Sequence, residues 1–342
     1  MMNPAAAPHS NPRLPTTIKR YLPIFRTIIA LFVALTVLYT GWKISDQLKT
    51  SGFDSRKINW GWISAAVVSY VSAMTLSWMF WHRVLLAIGQ RAPLGKTLLA
   101  FFASQLGKYV PGKAMVVVIR TDMIRGLSTS VRLGGVDSQQ EFNTIQTGPA
   151  AASVFVETLT WLFVGSALGC LLLMIQFREQ RWLLIAAALV TIVAGGLTAP
   201  PVFQAIARRL GVGRGNDFGK TADALLAGLN WPTMIFGWLV MTLGWCLNGL
   251  SLWLVLYGMG DTGIKIEDYP LTLTCVCLAT VAGFVSLLPG GIGARELVLI
   301  PLLGARFGSV HAVIAAILIR LVWLGAELLT SGIIYFMFRG RR

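Results

Sequence analysis

Apolar residues run in long blocks along this chain, and polar residues are confined to shorter stretches between them. Six blocks are long enough to cross a bilayer, which takes about 20 helical residues. They cover residues 27–43, 60–81, 149–177, 182–199, 232–257 and 310–338. The pattern predicts an all-α polytopic membrane protein with about six transmembrane helices.

Two further apolar segments, 94–125 and 271–304, are each interrupted near the middle by a Pro-Gly pair, which begins at Pro111 and at Pro289. Proline removes a helix donor and clashes with the preceding turn, so a regular helix should not continue through it. Broken helices at matching places in two halves of a membrane protein point to a transport site near the midplane. We expect two re-entrant helical hairpins, although a kinked full span through each segment fits the same pattern.

The distribution of Lys and Arg indicates the orientation. If each hairpin returns to its own side, the inner loops hold 19 of these residues and the outer loops hold nine, and cytoplasmic loops are the enriched ones. We therefore expect both termini on the cytoplasmic side of the cell's inner membrane. The hairpins then enter from opposite sides, which is the mark of an inverted repeat, with halves of about 27–177 and 182–338. Residues 1–26, Pro-rich and basic, should be a disordered cytoplasmic tail before a single membrane domain, 27–342.

Composition narrows the class of partner. Hydrophobic residues make up 55% of the chain and charged residues 13%, against roughly 25% charged residues in soluble domains. The net charge of +15 lies mostly in loops that flank apolar runs, which favours contact with anionic lipid over nucleic acid. Five tryptophans are interpreted as interface-belt or packing residues rather than as a binding cage: Trp78, Trp81, Trp182, Trp231 and Trp323.

Enzyme motifs are missing from the sequence. The three histidines lie far apart in the chain, and there is no Walker loop, no G-x-S-x-G and no C-x-x-C, so neither nucleotide binding nor nucleophilic catalysis is indicated. We therefore expect no catalytic residue, no metal and no other cofactor. Transport by such a chain must be downhill, ion-coupled or driven by a partner.

Charged residues inside or beside apolar segments are candidates for function, because a charge at the bilayer centre costs about 2.5–3.5 kcal/mol. In the first broken segment, Lys108 and Lys113 lie on either side of the break, and a helix beginning near Ala114 would direct its free N–H groups at the same point. Two cations and a helix N-terminus suit a phosphate. Alternatively, both lysines reach the cytoplasmic headgroups and bind nothing specific. The candidate substrate-binding residues here are Lys108, Tyr109, Pro111, Gly112, Lys113 and Arg120.

The second broken segment contains Leu288-Pro-Gly-Gly-Ile-Gly-Ala-Arg-Glu296. Its glycines allow another backbone or a ligand to approach closely. A helix beginning near Gly293 would place Glu296 in its first turn, where negative charge is favoured. Glu296 either belongs to the site, where it pairs with a cation or relays a proton, or is only a helix-start residue. The candidates here are Pro289, Gly290, Gly291, Gly293, Arg295 and Glu296.

The last apolar block contains Arg320 and Glu327, which are seven residues apart and so share one helix face. Arg320 lies deep in an apolar run and needs a carboxylate partner, for which Glu157, Glu296 and Glu327 are available. Arg320 either contacts the substrate or forms a structural ion pair that locks the bundle. Glu157, near the middle of its span, has the same two interpretations. We assign Glu157 and Glu327 the role of supporting charges in the site.

Two motifs, Gly107-Lys-Tyr-Val-Pro-Gly-Lys113 and Leu288-Pro-Gly-Gly-Ile-Gly-Ala-Arg-Glu296, resemble the membrane domain of lysylphosphatidylglycerol synthases. This family includes stand-alone, flippase-like membrane proteins of bacteria and archaea. The resemblance covers nearly the whole chain from about residue 27 and includes Arg320. The resemblance implies that the protein moves a phospholipid or other amphiphile between the leaflets of the membrane. The positively charged candidate residues favour an anionic lipid.

In two-part members of the family, an aminoacyl-transfer domain follows the membrane domain. This sequence stops at Arg342, so we expect that it does not aminoacylate lipid by itself. Three features differ from the family pattern. The chain has Glu157-Thr158 where the family often has Glu-Arg, Arg295 stands where an apolar residue is expected, and the polar loop 127–148 is longer than typical.

Two other functions fit the same residues. A membrane-embedded enzyme that acts on a polyprenyl-phosphate or phosphatidylglycerol substrate would use the same phosphate site, with Glu296 or Glu157 as general base. A non-catalytic subunit would instead position a separate lipid-modifying enzyme. The sequence does not indicate an oligomeric state.

Overall fold

The structure, a computed structural model, describes residues 55–109, 114–125, 145, 147–176, 179, 181–209 and 227–339. Within these ranges every regular element is a helix, which confirms the all-α fold class. The expected tail 1–26 and the first expected span, 27–43, lie outside the described residues. So do most of the expected loops at 127–148 and 208–231.

Ten α-helices occupy the described residues. They are α1 (Trp60–Ala87), α2 (Leu94–Gln105), α3 (Ala114–Arg125), α4 (Thr147–Gln176), α5 (Arg181–Thr198), α6 (Pro200–Arg209), α7 (Trp231–Gly258), α8 (Tyr269–Val285), α9 (Ala294–Phe307) and α10 (Ser309–Arg339). Short 3₁₀ helices lie at Ser55–Lys57, Leu106–Tyr109, Ile266–Asp268 and Pro289–Gly291.

Within the described ranges, six helical segments are long and apolar enough to cross a membrane. They are Trp60–Ala87, Thr147–Gln176, Arg181–Thr198, Trp231–Gly258, Ile266–Val285 and Ser309–Met337. Five of them coincide with spans expected from the sequence. The sixth contains the first half of the second broken segment, which the sequence analysis assigns to a re-entrant hairpin.

Helices α1 and α7 pack against each other along their length in an antiparallel pair. The N–H of Asn59, at the start of α1, donates to the carbonyl of Gly258, at the end of α7, at 2.8 Å. Further along, the hydroxyl of Ser69 donates to the carbonyl of Leu247 at 2.7 Å. Small polar side chains of this kind let helices approach closely inside a membrane and join them by hydrogen bonds.

Each of the two broken segments contains two helices packed against each other as a hairpin. That these hairpins are re-entrant, rather than kinked full spans, stays a prediction. The first hairpin consists of α2 and α3, the second consists of α8 and α9, and the two helices of each pack against one another. In the second hairpin, Arg306 Nε donates to Asp268 Oδ1 at 2.9 Å, so its last turn lies beside its beginning. The first hairpin follows the end of α1 and the second follows the end of α7. Because α1 and α7 are antiparallel, the hairpins start at opposite ends of this pair.

The outer surface is apolar, as expected of membrane helices. Helix α5 packs on α4 and leaves Ile185, Leu189 and Ile192 exposed. Trp182 and Trp231 are exposed in the first turns of α5 and α7, where an aromatic belt would meet the headgroups. The polar side chains that concern function lie instead around the hairpin tips.

Candidate functional site: a cavity with charged residues between two hairpin tips

The tips of the two hairpins touch. The ring of Tyr109, at the end of the 3₁₀ helix that follows α2, lies against the backbone of Gly290. A Cβ atom added at Gly290 would be 2.8 Å from Tyr109 Cδ1, and the φ of Gly290 is +58°. Both facts require glycine, because a side chain would clash and the left-handed backbone disfavours other residues. Pro289 begins the short 3₁₀ helix that holds Gly290 in this position.

A buried carboxylate lies beside the first tip. Glu327, on α10, has no exposed surface and is approached by three donors. Lys108 Nζ forms an ion pair with it, Tyr70 Oη donates to it, and Tyr109 Oη donates to it at 3.1 Å. A buried ion pair is tolerated when further hydrogen bonds satisfy the remaining lone pairs, as the two tyrosines do here. The carboxylate therefore ties the first tip and α1 to α10.

The second hairpin is tied to the same helix. Arg320 Nη1, also on α10, lies 2.5 Å from Glu296 Oε1. The other oxygen of Glu296 accepts the N–H of Gly293 at 2.8 Å, and Gly293 precedes the first turn of α9. Glu296 thus serves as both the helix-start residue and the partner of Arg320, and its role in substrate binding stays a prediction. Helix α10 binds one hairpin at Glu327 and the other at Arg320, about 10 Å apart along its axis.

A third ion pair joins the first hairpin to α4. Arg120 Nη1 lies 3.0 Å from Glu157 Oε2, and Arg120 Nε donates to Ser104 Oγ at 3.0 Å. The carbon of the guanidinium also lies 4.7 and 4.5 Å from the ring centroids of Trp81 and Phe101. Aromatic faces stabilise a desolvated cation. Arg120 therefore has a carboxylate, a hydroxyl group and two aromatic rings of this chain as partners.

The two hairpins form ion pairs at corresponding places, but the positive and the negative residue have changed places. The second helix of the first hairpin carries Arg120, paired with Glu157 on the long helix that follows. The second helix of the second hairpin carries Glu296, paired with Arg320 on the long helix that follows it. This correspondence supports the inverted repeat, which stays a prediction.

A cavity of about 650 Å³ lies between the hairpin tips and the long helices. Its polar lining includes Lys108, Arg120, Glu157, Asn248 and Arg295. Most of the remaining lining is apolar. A space of this size, mainly apolar with a few convergent polar groups, is typical of a binding site for a small molecule or headgroup.

The cavity reaches the apolar outer surface of the protein. Val118 of α3, Phe155 of α4 and Leu287 after α8 all line it. They are also 53, 53 and 62% exposed. Leu287 has a φ of +56°, which is strained for a non-glycine residue, and such strain clusters at functional sites. The three residues frame a lateral opening that would face the lipid.

Arg295 is a cation of the cavity wall that has no carboxylate partner among the described residues. Its side chain lies on Gly283, where an added Cβ would be 2.6 Å from Arg295 Cγ, and its guanidinium lies 5.6 Å from the ring centroid of Trp323. Among the described residues it forms no ion pair, and its Nε has no hydrogen-bond partner. Lys108, Arg120 and Arg320 each have a glutamate. The described part of the site therefore carries one excess positive charge, located at Arg295.

The structure brings together most of the residues singled out from the sequence. Those that line the cavity are Lys108, Arg120, Glu157, Gly290, Gly291 and Arg295. Glu296 and Arg320 border an adjoining recess of about 30 Å³ that Arg295 also lines. Pro111, Gly112 and Lys113 lie outside the described residues, so the proposed two-lysine phosphate site stays a prediction.

Several polar or aromatic residues of the site were missed or assigned another role from the sequence. Tyr70 and Asn248 were passed over, although each is a polar residue in the middle of an apolar block and therefore needs a partner. Trp81 and Trp323 are buried, and their rings lie beside the guanidinium groups of Arg120 and Arg295. Within the described residues, no three His, Cys, Asp or Glu side chains come close enough together to hold a metal ion.

The fold and the site define a polytopic helical membrane protein in which two hairpins enclose a charged, laterally open cavity. The family model of the lysylphosphatidylglycerol synthase TM region matches residues 27–328. The chain belongs to this family, and is therefore a lipid-related, multi-pass membrane protein. A comparison with curated proteins found no match.

Proposed function

We propose that this protein moves an anionic phospholipid or similar amphiphile between the leaflets of the cell's inner membrane. The headgroup passes through the cavity while the acyl chains stay in the bilayer at the lateral opening. The observation that supports this best is Arg295, a cation that lines the cavity without a carboxylate partner among the described residues. A charge buried in a membrane protein without a partner is costly, and an anionic headgroup would supply the missing charge.

The hairpins supply the two ends of the path in this proposal. They dip into the membrane from opposite faces and meet where Tyr109 contacts Gly290. The arrangement of opposed hairpins around a central site is typical of transporters with inverted repeats. With both termini in the cytoplasm, the first hairpin closes the cavity toward the cytoplasmic side and the second closes it toward the outer side.

Movement of either hairpin would have to work against an ion pair to α10. Opening at the inner side would loosen Lys108 from Glu327, and opening at the outer side would loosen Glu296 from Arg320. An anionic headgroup could stand in for the carboxylate that a cation loses, which would lower the cost of each step. The driving force is then a lipid gradient, a coupled ion or a partner.

Reconstitution into liposomes tests the proposal. The wild-type protein should speed the transfer of a fluorescent anionic phospholipid to the other leaflet. The transfer is measured by chemical bleaching of the fluorophore in the outer leaflet. Arg295→Leu should reduce this transfer to the rate of empty vesicles. The matched control is Arg306→Leu, on the same helix but paired with Asp268 at the exposed end of the hairpin, and it should transfer lipid normally.

Two results would contradict the proposal. One is wild-type protein that gives no transfer of any anionic lipid above empty vesicles. The other is Arg295→Leu protein that transfers lipid as fast as the control variant.

A membrane-embedded enzyme is the other candidate, and the structure favours it less. Its general base would be Glu157 or Glu296, yet each of these carboxylates is bound by an arginine. Loss of product formation in Glu296→Gln protein that still binds lipid would favour the enzyme. Co-purification with a lipid-modifying enzyme, together with inactivity alone, would favour an accessory subunit.

A further inference from the structure

The small recess beside the large cavity has a charged lining of its own. It has a volume of about 30 Å³ and is lined by residues of α8, α9 and α10. Its charged residues are Arg295, Glu296 and Arg320, and most of its other side chains are apolar, such as Ala279 and Leu299. A cavity needs about 10–15 Å³ to hold one water molecule. The recess therefore has room for one or two water molecules or one monatomic ion, but not for a lipid headgroup.

Both arginines of the recess have a guanidinium nitrogen without a partner. Arg295 Nε and Arg320 Nη2 are buried, and neither forms a hydrogen bond among the described residues. A Cβ atom added at Gly291 would be 3.1 Å from Arg295 Nε, and one added at Gly290 would be 3.5 Å from Arg320 Nη2. The two nitrogens therefore lie beside neighbouring glycines of the second tip. Because a buried N–H group without an acceptor is unfavourable, both favour an acceptor inside the recess.

The charges around the recess do not cancel. The two oxygens of Glu296 accept from Arg320 Nη1 and from the N–H of Gly293. Two guanidinium groups and one carboxylate leave one excess positive charge, in surroundings that are mostly apolar. A water molecule could accept the hydrogen bonds but would not offset this charge. A monovalent anion would do both, and the attraction is stronger where the dielectric constant is low.

We infer that the recess is a binding site for one small monovalent inorganic anion, such as chloride. Arg295 Nε and Arg320 Nη2 donate to the ion, and the apolar side chains around it exclude water. This site is distinct from the proposed lipid path and does not depend on lipid transfer. Since Arg295 lines both spaces, an ion in the recess and a phosphate in the cavity compete for the same positive charge.

Thermal unfolding of the purified, detergent-solubilised full chain tests the site. Chloride replaces gluconate, an organic anion too large for the recess, at constant pH and ionic strength. The midpoint of unfolding should rise by about 2 °C for each ten-fold increase in chloride above its dissociation constant. Bromide, which has the same charge and a similar size, should have the same effect.

Two variants locate the binding site. Arg295→Leu removes the excess charge and one donor, and should unfold at the same midpoint in chloride and in gluconate. Ala316→Val keeps both arginines but adds two methyl groups to the wall of the recess, and should also lose the response. Arg306→Leu removes an arginine from an exposed pair at the other end of the same hairpin. It is the control and should keep the wild-type response to chloride.

The outcomes separate this site from the proposed function. Equal midpoints of wild-type protein in chloride and gluconate would overturn the site and leave lipid transfer untouched. A chloride response that persists in Arg295→Leu protein would also overturn it, even if Ala316→Val could not be purified. Wild-type protein that responds to chloride but transfers no lipid would overturn the proposed function and leave the anion site standing.

Discussion

The ring of Tyr109 lies against the backbone of Gly290, so the tips of two hairpins that start at opposite ends of the bundle meet inside it. An added Cβ at Gly290 would lie 2.8 Å from that ring. The contact closes one side of the cavity, next to the buried carboxylate of Glu327, to which Tyr109 also donates. Changes at this contact should therefore affect both stability and transfer.

Gly290→Ala should destabilise the protein by about 1–3 kcal/mol, since alanine disfavours a left-handed backbone and its methyl group would strike Tyr109. The midpoint of thermal unfolding in detergent measures the effect. Gly325→Ala, within α10, is the matched control, because an added Cβ there meets nothing within 4 Å. It should leave stability unchanged or raise it by up to about 1 kcal/mol. Equal midpoints for both variants would show that the tips do not touch as described.

Glu327→Gln should cost about 3–5 kcal/mol of stability, because it leaves the ammonium of Lys108 in a buried place without its counter-charge. The double variant Lys108→Gln/Glu327→Gln should recover part of the loss, since it removes both charges. Asp261→Asn breaks the exposed pair with Lys57 and should cost at most about 1 kcal/mol. Thermal or denaturant unfolding of the four proteins gives the comparison, and a double variant less stable than Glu327→Gln would contradict this account of the pair.

Arg120→Lys should destabilise the protein by about 1–3 kcal/mol although it keeps the charge. A lysine ammonium cannot bond both Glu157 and Ser104 while it covers the rings of Trp81 and Phe101, as the planar guanidinium does. Arg306→Lys, at an exposed pair, is the control and should be close to neutral. If Arg120→Lys unfolds at the wild-type midpoint, the geometry of the guanidinium is not what holds α3 against α4.

Thr158 lies on α4 and helps to line the cavity. Thr158→Trp should therefore fill the cavity and block lipid transfer. Leu171→Trp introduces the same side chain on the outer face of the same helix, where Leu171 is exposed, and should transfer lipid at the wild-type rate. The liposome assay with a fluorescent anionic lipid compares the two. Normal transfer by Thr158→Trp protein of wild-type stability would show that the headgroup takes another route.

Much of the fold follows from local features that a sequence displays. Length and hydropathy predicted the helices at 60–81 and 310–338, and the Pro-Gly pairs predicted where the hairpins break. Helix α3 begins at Ala114 and α9 begins at Ala294, within one residue of expectation. These features depend on proline geometry and on apolar runs, which need no knowledge of neighbouring segments.

The pairing of charges could not be predicted in the same way. Arg320 had three available carboxylates in the sequence, and only the packing of α9 on α10 selects Glu296. Lys108 was expected to meet a phosphate or the headgroups, yet it binds Glu327, 219 residues away in sequence. Asn248 was harder still to recognise from the sequence. A single amide in an apolar block indicates a site only once the structure shows that its oxygen has no hydrogen-bond partner among the described residues.

The most direct measurement is an experimental structure of the full-length protein in a bilayer disc that contains anionic phospholipid. The proposal predicts lipid density in the cavity, with the phosphate in contact with the guanidinium of Arg295 and the acyl chains leaving between Val118, Phe155 and Leu287. Ordered lipid whose phosphate lies away from Arg295, or a cavity that stays closed to lipid at saturating concentration, would contradict it.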